Sequence, residues 1–226
     1  VSAPSIHGTV PARLRDAKDA AYRDLILDVA EQEFAERGYE ATLMKDIAGS
    51  AGISLATLYA RFEAKMDLYR AVHHRRLGAL NQALAAGAVR TGDALTQMLS
   101  SMRVYVTFHM THPTWLRMHL REGNSWSGDE KLRSPEQTDA WNRGQRSMAK
   151  TFQRGMDEGL FAQGDPVLLA RLTNALHQTV LSRWVEEGMA EGPQAVVERM
   201  QALFIRAFCT PERVPALLAA WSRRAS

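Results

Sequence analysis

The chain holds a single cysteine, Cys209, among its 226 residues. One thiol excludes an internal disulfide framework and a zinc site built on cysteines, and it suits a reducing compartment. No run approaches the roughly 18 consecutive apolar residues that span a bilayer, which argues against an integral membrane protein. The first residues lack a basic start followed by an apolar core, so no secretory signal is read there and a cytoplasmic location is expected. Alternating β-type runs, internal repeats and low-complexity tracts are missing. So are the common catalytic signatures: there is no Gly-x-Ser-x-Gly elbow, no phosphate-cradling glycine loop ending in Lys-Ser/Thr, and no His-Glu-x-x-His. Neither an enzyme activity nor a cofactor is expected.

Net charge is also small, +3 from 28 basic and 25 acidic side chains, too little to name a partner by itself. Its distribution says more. Residues 1–40 carry five basic and eight acidic side chains, whereas residues 41–80 carry six basic and three acidic. The short block 41–80 is where positive charge gathers.

What the chain does have is helical periodicity. Residues 1–17, with two prolines, a glycine and no periodic pattern, read as a flexible N-terminal arm. Tyr22, Leu25, Ile26, Val29, Ala30 and Phe34 recur at helical spacing and predict a helix over 18–37, closed by Gly38. Short helices are expected over 44–51 and 55–62 around a turn at Gly52-Ile53-Ser54, then a longer helix over 65–86. Further helices are expected over 94–110, stopped at His112-Pro113, and over 115–122, 138–158, 166–187, 193–208 and 215–224, with a loop over 123–135. The fold class is all-α.

The stretch Met44 to Phe62 has what a DNA-reading helix-turn-helix needs. Ala48 is small where two helices must pack closely, and Gly52 admits the backbone of a tight turn. Ile47, Ile53, Leu58 and Phe62 supply apolar contacts. Ser54 is placed to cap the second helix. That helix would show Ala56, Thr57, Tyr59 and Arg61, and small residues such as Ala56 let it sit deep in a major groove.

The run Ala51-Gly52-Ile53-Ser54, followed by Thr57-Leu58-Tyr59, Phe62 and Lys65, resembles the DNA-binding signature of the TetR family of bacterial transcriptional regulators. The resemblance covers about 18–72. It implies an N-terminal three-helix helix-turn-helix domain (18–64), a linker helix (65–86) and a larger helical ligand-binding and dimerisation domain (87–226). It implies that Thr57, Tyr59 and Arg61 meet bases or phosphates, and that Lys45, Ser54 and Lys65 meet phosphates. The family usually carries Ser or Thr at the position of Leu43, three residues before an acid. Here the acid is Asp46 and the capping hydroxyl is gone, so Thr42 is the candidate to cap one residue early and to contact phosphate.

The same resemblance implies a dimer formed through the last two long helices. Leu168, Leu169, Leu172, Leu176, Val180 and Trp184 follow helical spacing in 166–187. Val197, Met200, Phe204 and Phe208 do so in 193–208. Leu172, Leu176, Val180 and Trp184 with Val197, Met200, Phe204 and Phe208 are the expected interface. Antiparallel helix pairs from two subunits could bury these stripes in a four-helix bundle, although part of each stripe must serve the monomer core. A dimer would present two recognition helices to a palindromic double-stranded operator.

Methionine and aromatic residues concentrate over 98–126: Met98, Met102, Tyr105, His109, Trp115, Met118 and Trp126. Helices expected to face them add Phe152, Met156, Asn174, His177 and Gln178. Adaptable thioethers and rings with a few polar groups suit an apolar small-molecule pocket, though such stripes are more often plain core. An unidentified, largely apolar effector is the expected partner, and no membrane is. His109, His112, His119 and Glu122 raise a metal reading, but Pro113 interrupts the helical face they would share, so no metal is expected. The leading function is a homodimeric repressor released from its operator by the effector. Two alternatives stay open: an effector-independent regulator or activator, and an all-α small-molecule-binding protein or enzyme with a vestigial DNA module.

Overall fold

A computed structural model describes residues 10–121, 132 and 134–225, with side chains from residue 17 to residue 221 of that span. The described residues form α-helices joined by short connections, apart from one 3-10 turn and one isolated bridge between Phe161 and Cys209. The chain divides into two compact units, Val1–His73 and His74–Ser226.

The first unit contains α1 (Val10–Ala41), α2 (Met44–Ser50), α3 (Leu55–Tyr59) and the start of α4 (Lys65–Gly87). Residues 10–17 are helical and not an arm. Pro11 is compatible with this because the first turn of a helix has no use for its missing N–H. Residues 1–9 lie outside the described residues. Regular helix is interrupted at Gly38, whose φ of +81° a side chain would resist. Ile26, Ala30 and Phe34 on α1, Ile47 and Ala48 on α2, Leu58 on α3, and Leu68 and Tyr69 on α4 are all buried. Burial of each large aliphatic side chain contributes about 1.5–3 kcal/mol. Phe34 and Tyr69 pack edge to face, 5.1 Å between centroids, and Tyr39 meets Tyr69 at 5.0 Å.

The second unit contains the remainder of α4, α5 (Ala94–Thr111), α6 (Pro113–Arg121), α7 (Pro135–Asp157), α8 (Pro166–Glu186), α9 (Pro193–Phe208), the 3-10 turn Pro211–Arg213 and α10 (Val214–Ala225). Side chains set the starts. Asp93 accepts from Thr96 N at 2.7 Å before α5, and Asp165 accepts from Val167 N at 2.8 Å before α8. Before α7, Ser134 and Gln137 form a reciprocal capping box with Pro135 in the first turn. This helix therefore begins three residues earlier than periodicity suggests, and α6 begins directly at Pro113. The core joins α5, α6, α7, α8 and α9, with Met102, Leu116, Phe152, Leu181, Met200 and Phe204 nearly or fully buried. Gly155 lies under the Phe161 ring so closely that a Cβ there would come within 2.2 Å of it. Ala162 N donates to Phe208 O at 2.9 Å and Thr210 N to Leu160 O at 3.0 Å, tying the exit of α7 to the end of α9. Cys209 is buried in this seam, and burial pushes its thiol up to about 11, as befits a packing residue.

Candidate functional site

In the first unit, α2 and α3 are joined by a four-residue turn at Ala51–Ser54. Gly52 takes φ +66°, and Ile53 N reaches back to Ala48 O at 3.0 Å. Ser54 caps α3, accepting from Thr57 N at 3.0 Å, with its hydroxyl 2.8 Å from that of Thr57. Leu58 faces inward. Leu55, Ala56 and Tyr59 face solvent, Tyr59 at 45% exposure, and Thr57 is half-buried. Lys45 is exposed on α2. A short helix thus shows one solvent-facing side with a phenol, two hydroxyls and small side chains.

Besides Ser54 and Thr57, three more of the expected contact residues have partners inside the chain. Arg61 Nη2 lies 2.8 Å from Asp19 Oδ1 on α1, and its guanidinium lies over the Tyr22 ring. Lys65 Nζ donates to the carbonyls of Tyr39 (2.7 Å), Glu40 (3.1 Å) and Thr42 (3.0 Å), and it sits 4.4 Å from the Tyr39 ring centroid. It gathers carbonyls that the end of α1 leaves without helical partners. Thr42 is fully buried, its hydroxyl donating to Gly38 O at 2.7 Å. It therefore neither caps α2 nor offers a hydroxyl to phosphate, which corrects both expectations for it. The N-cap of α2 is Leu43, extended at φ −108° and ψ 143° and without a side-chain cap bond. Asp46 pairs instead with Arg37 at 3.0 Å. Arg37 also holds Glu33 at 3.2 Å, and Glu33 accepts from Ser50 at 2.7 Å. This bracket between α1 and α2 was not foreseen; only the i,i+4 spacing of Glu33 and Arg37 hints at it.

In the second unit, part of the expected pocket set forms one stack of rings. Tyr105 lies 4.2 Å from His109 and 4.8 Å from His177, nearly parallel to the latter at 19°. His109 stacks on Trp115 at 4.9 Å, and Trp115 approaches His119 at 5.8 Å. His109 Nδ1 donates to Tyr105 O at 2.8 Å, fixing its neutral tautomer. Burial pulls His109 down to about 3, outweighing the raising effect of that hydrogen bond, and His177 down to about 4. Burial pushes Tyr105 well up. Asn174, one turn before His177, donates to Ala170 O at 3.2 Å, and Gln178 is half-buried.

The rest of the set goes elsewhere. Met98, Met102 and Met156 belong to the continuous core, and Met118 is fully buried on α6. Phe152 packs with Phe161 (5.1 Å), Phe208 (5.6 Å) and Phe204 (5.9 Å) in a phenylalanine cluster. Trp126 and Glu122 lie outside the described residues. Among the described residues no group of three metal-ligating side chains comes together. Gln201 was not expected: it is buried on α9, and its Nε2 donates to Leu99 O on α5 at 2.8 Å.

The expected interface residues also need correction. Val180, Trp184, Val197, Met200, Phe204 and Phe208 are buried in the chain's own core and have little surface left for a second subunit. Leu172 is 46% exposed and Leu176 half-buried. The large apolar side chains that α8 and α9 turn outward are Val167, Leu168, Leu172 and Leu203. Among the described residues no helix is long and apolar enough to cross a membrane.

Comparison with known proteins agrees with this geometry. The family model described as bacterial regulatory proteins, tetR family, matches residues 26–72, which run from the buried Ile26 of α1 into α4. The transcriptional activator FasR of Mycolicibacterium smegmatis is 31% identical over 86 residues, 38% of this chain and 39% of that protein. The transcriptional repressor ComR of Escherichia coli is 45% identical over 53 residues, 24% of this chain and 25% of that protein. The chain thus spans well under half the length of these relatives in sequence. In structure the likeness is wider. The ketosteroid transcriptional regulator KstR2 of Mycobacterium tuberculosis superposes with a TM-score of 0.70 at 21% identity, covering 91% of this chain and all of that one. A helix-turn-helix built on a left-handed Gly52, followed by a larger all-helical unit with the same overall course as such regulators, leads to one assignment. Residues 26–72 carry the helix-turn-helix segment of the tetR family of bacterial regulatory proteins, and the chain as a whole shares the fold of such regulators.

Proposed function

We propose that this chain is a sequence-specific DNA-binding transcriptional regulator, acting as a homodimeric repressor that a small apolar effector releases from a palindromic operator. The observation that carries the reading is the solvent-facing side of α3, where the exposed Tyr59 and Ala56 stand beside the Ser54–Thr57 cap. In this reading Tyr59, Thr57 and Ala56 enter the major groove, and Lys45 and Ser54 meet phosphates. Arg61 joins them after exchanging Asp19 for DNA. Lys65 acts indirectly, by holding the end of α1 in place.

The outward apolar residues Val167, Leu168, Leu172 and Leu203 support dimerisation, since large apolar side chains left in water on α8 and α9 ask for cover. The ring stack of Tyr105, His109, Trp115 and His177 supports an effector site in the second unit, with α4 as the coupling element. The effector shifts the equilibrium only by its different affinity for the bound and released states.

The test is a gel-shift titration with the DNA upstream of the coding sequence against random DNA at physiological salt. Specific retention is expected, lost in Tyr59→Ala with unchanged thermal stability. Equal retention of both DNAs, or full affinity in Tyr59→Ala, refutes the assignment. Leu168→Glu is expected to convert a dimer to a monomer in light scattering, and a monomeric parent protein refutes the dimer. An activator is the second reading, favoured by the FasR likeness in the DNA-binding segment. A reporter gene that falls silent when the regulator is deleted would select it.

A further inference from the structure

Within the ring stack, the described chain leaves both ring nitrogens of His177, Nδ1 and Nε2, without a hydrogen-bond partner, and the residue is 4% exposed. Tyr105 covers one face of the imidazole. Buried polar atoms in native proteins are almost always satisfied, and leaving one bare costs more than making its bond recovers. A neutral imidazole offers one donor and one acceptor, which is what a hydroxyl group complements.

No fully buried charged residue among those described in the second unit stands ready to neutralise a charged complement. Among the described residues of the second unit, the buried polar side chains are Ser100, His109, Gln137, Thr173, Asn174, His177 and Gln201, with no Lys, Arg, Asp or Glu. A carboxylate or ammonium drawn beside His177 would lose its water with no fully buried opposite charge among these to replace it. Both buried imidazoles resist protonation, so they cannot supply that charge at neutral pH.

From this we infer that His177 is the polar anchor of the effector site, and that the effector is an uncharged, largely apolar alcohol or phenol whose hydroxyl engages a ring nitrogen of His177. The inference rests on the effector reading proposed above.

Three probes of one ring size separate the possibilities: 2-naphthol, naphthalene and 2-naphthoate, titrated calorimetrically into the full chain near neutral pH. The expected result is that 2-naphthol binds about tenfold more tightly than either of the others. His177→Leu should erase that gap and keep naphthalene binding, while His177→Gln, which retains a donor and an acceptor, should keep the gap. The imidazole nitrogen resonances of His177 should move on addition of 2-naphthol. Should His177→Leu fail to fold, the glutamine variant and the resonances decide. If naphthoate binds as well as naphthol, if the gap survives in His177→Leu, or if the His177 resonances stay still, the ligand class is wrong while an effector site stands. If none of the three binds, the effector reading falls with it.

Discussion

Acidification should loosen the second unit in a way that one substitution relieves. His177 ionises near 4 in the folded chain and near 6.5 unfolded, and His109 near 3 against the same 6.5. A group whose folded pKa is depressed contributes stability that is complete above the unfolded pKa. That stability is lost as pH falls toward the folded pKa, because only the unfolded chain takes the proton. The window for His177 is therefore about pH 6.5 down to 4, and for His109 about 6.5 down to 3. At about pH 5 the unfolded state gains 1.5 pK units of protonation for each ring, about 2 kcal/mol apiece and about 4 kcal/mol for both. At about pH 7.5 the effect is negligible. Other groups also titrate in this range, but they cancel when wild type is compared with His177→Gln. The variant should lose about 2 kcal/mol less than wild type between about pH 7.5 and 5. With a urea slope of about 2 kcal/mol per molar, that is about 1 M in the relative midpoints followed by circular dichroism. Parallel midpoint shifts in the two proteins would refute the placement of His177 as a buried, neutral ring.

Three further outcomes follow from particular contacts. Leu43 already has the extended backbone of an N-cap, so Leu43→Ser should stabilise the chain by about 0.5–1 kcal/mol in urea unfolding. Gly155→Ala must displace the Phe161 ring from a packed cluster and should cost about 1–3 kcal/mol, read as a lowered urea midpoint. Lys65→Met removes three hydrogen bonds at the end of α1. Because that ammonium is partly exposed, the cost should be about 1 kcal/mol of stability, accompanied by weaker DNA binding. Weaker DNA binding without any loss of stability would return Lys65 to a direct phosphate role.

Most of the helical order was legible because local chemistry writes it. Gly52 and Ser54 mark the turn and the cap within a few residues of where they act, and Pro166 and Pro193 mark helix starts. The start of α7 was written in the same way, as Ser134-Pro135-Glu136-Gln137, but inside a stretch whose composition otherwise suggests a loop. What could not be read were partners distant in the chain. Nothing near Lys65 announces that Tyr39 and Thr42 need its ammonium, and nothing near Arg61 announces Asp19. The stripes of α8 and α9 failed for a related reason. Periodicity shows that a face is apolar without showing what covers it. On α9 the chain itself covers Val197, Met200, Phe204 and Phe208, whereas α8 has apolar residues on two sides and only Leu168, Leu172 and Val167 remain outside.

The Arg61–Asp19 pair changes what a salt titration would count. An arginine that neutralises a phosphate ordinarily sets free a condensed cation, and the steepness of the salt dependence tallies such releases. Arg61 brings its own counter-ion, built into α1. When it turns toward a phosphate it leaves the Asp19 carboxylate uncompensated close to the DNA, so the negative field that holds condensed cations falls by less than a full arginine's worth. The slope measured for this protein would under-report the basic side chains touching DNA by up to about one per subunit, and Asp19→Asn would restore the missing part.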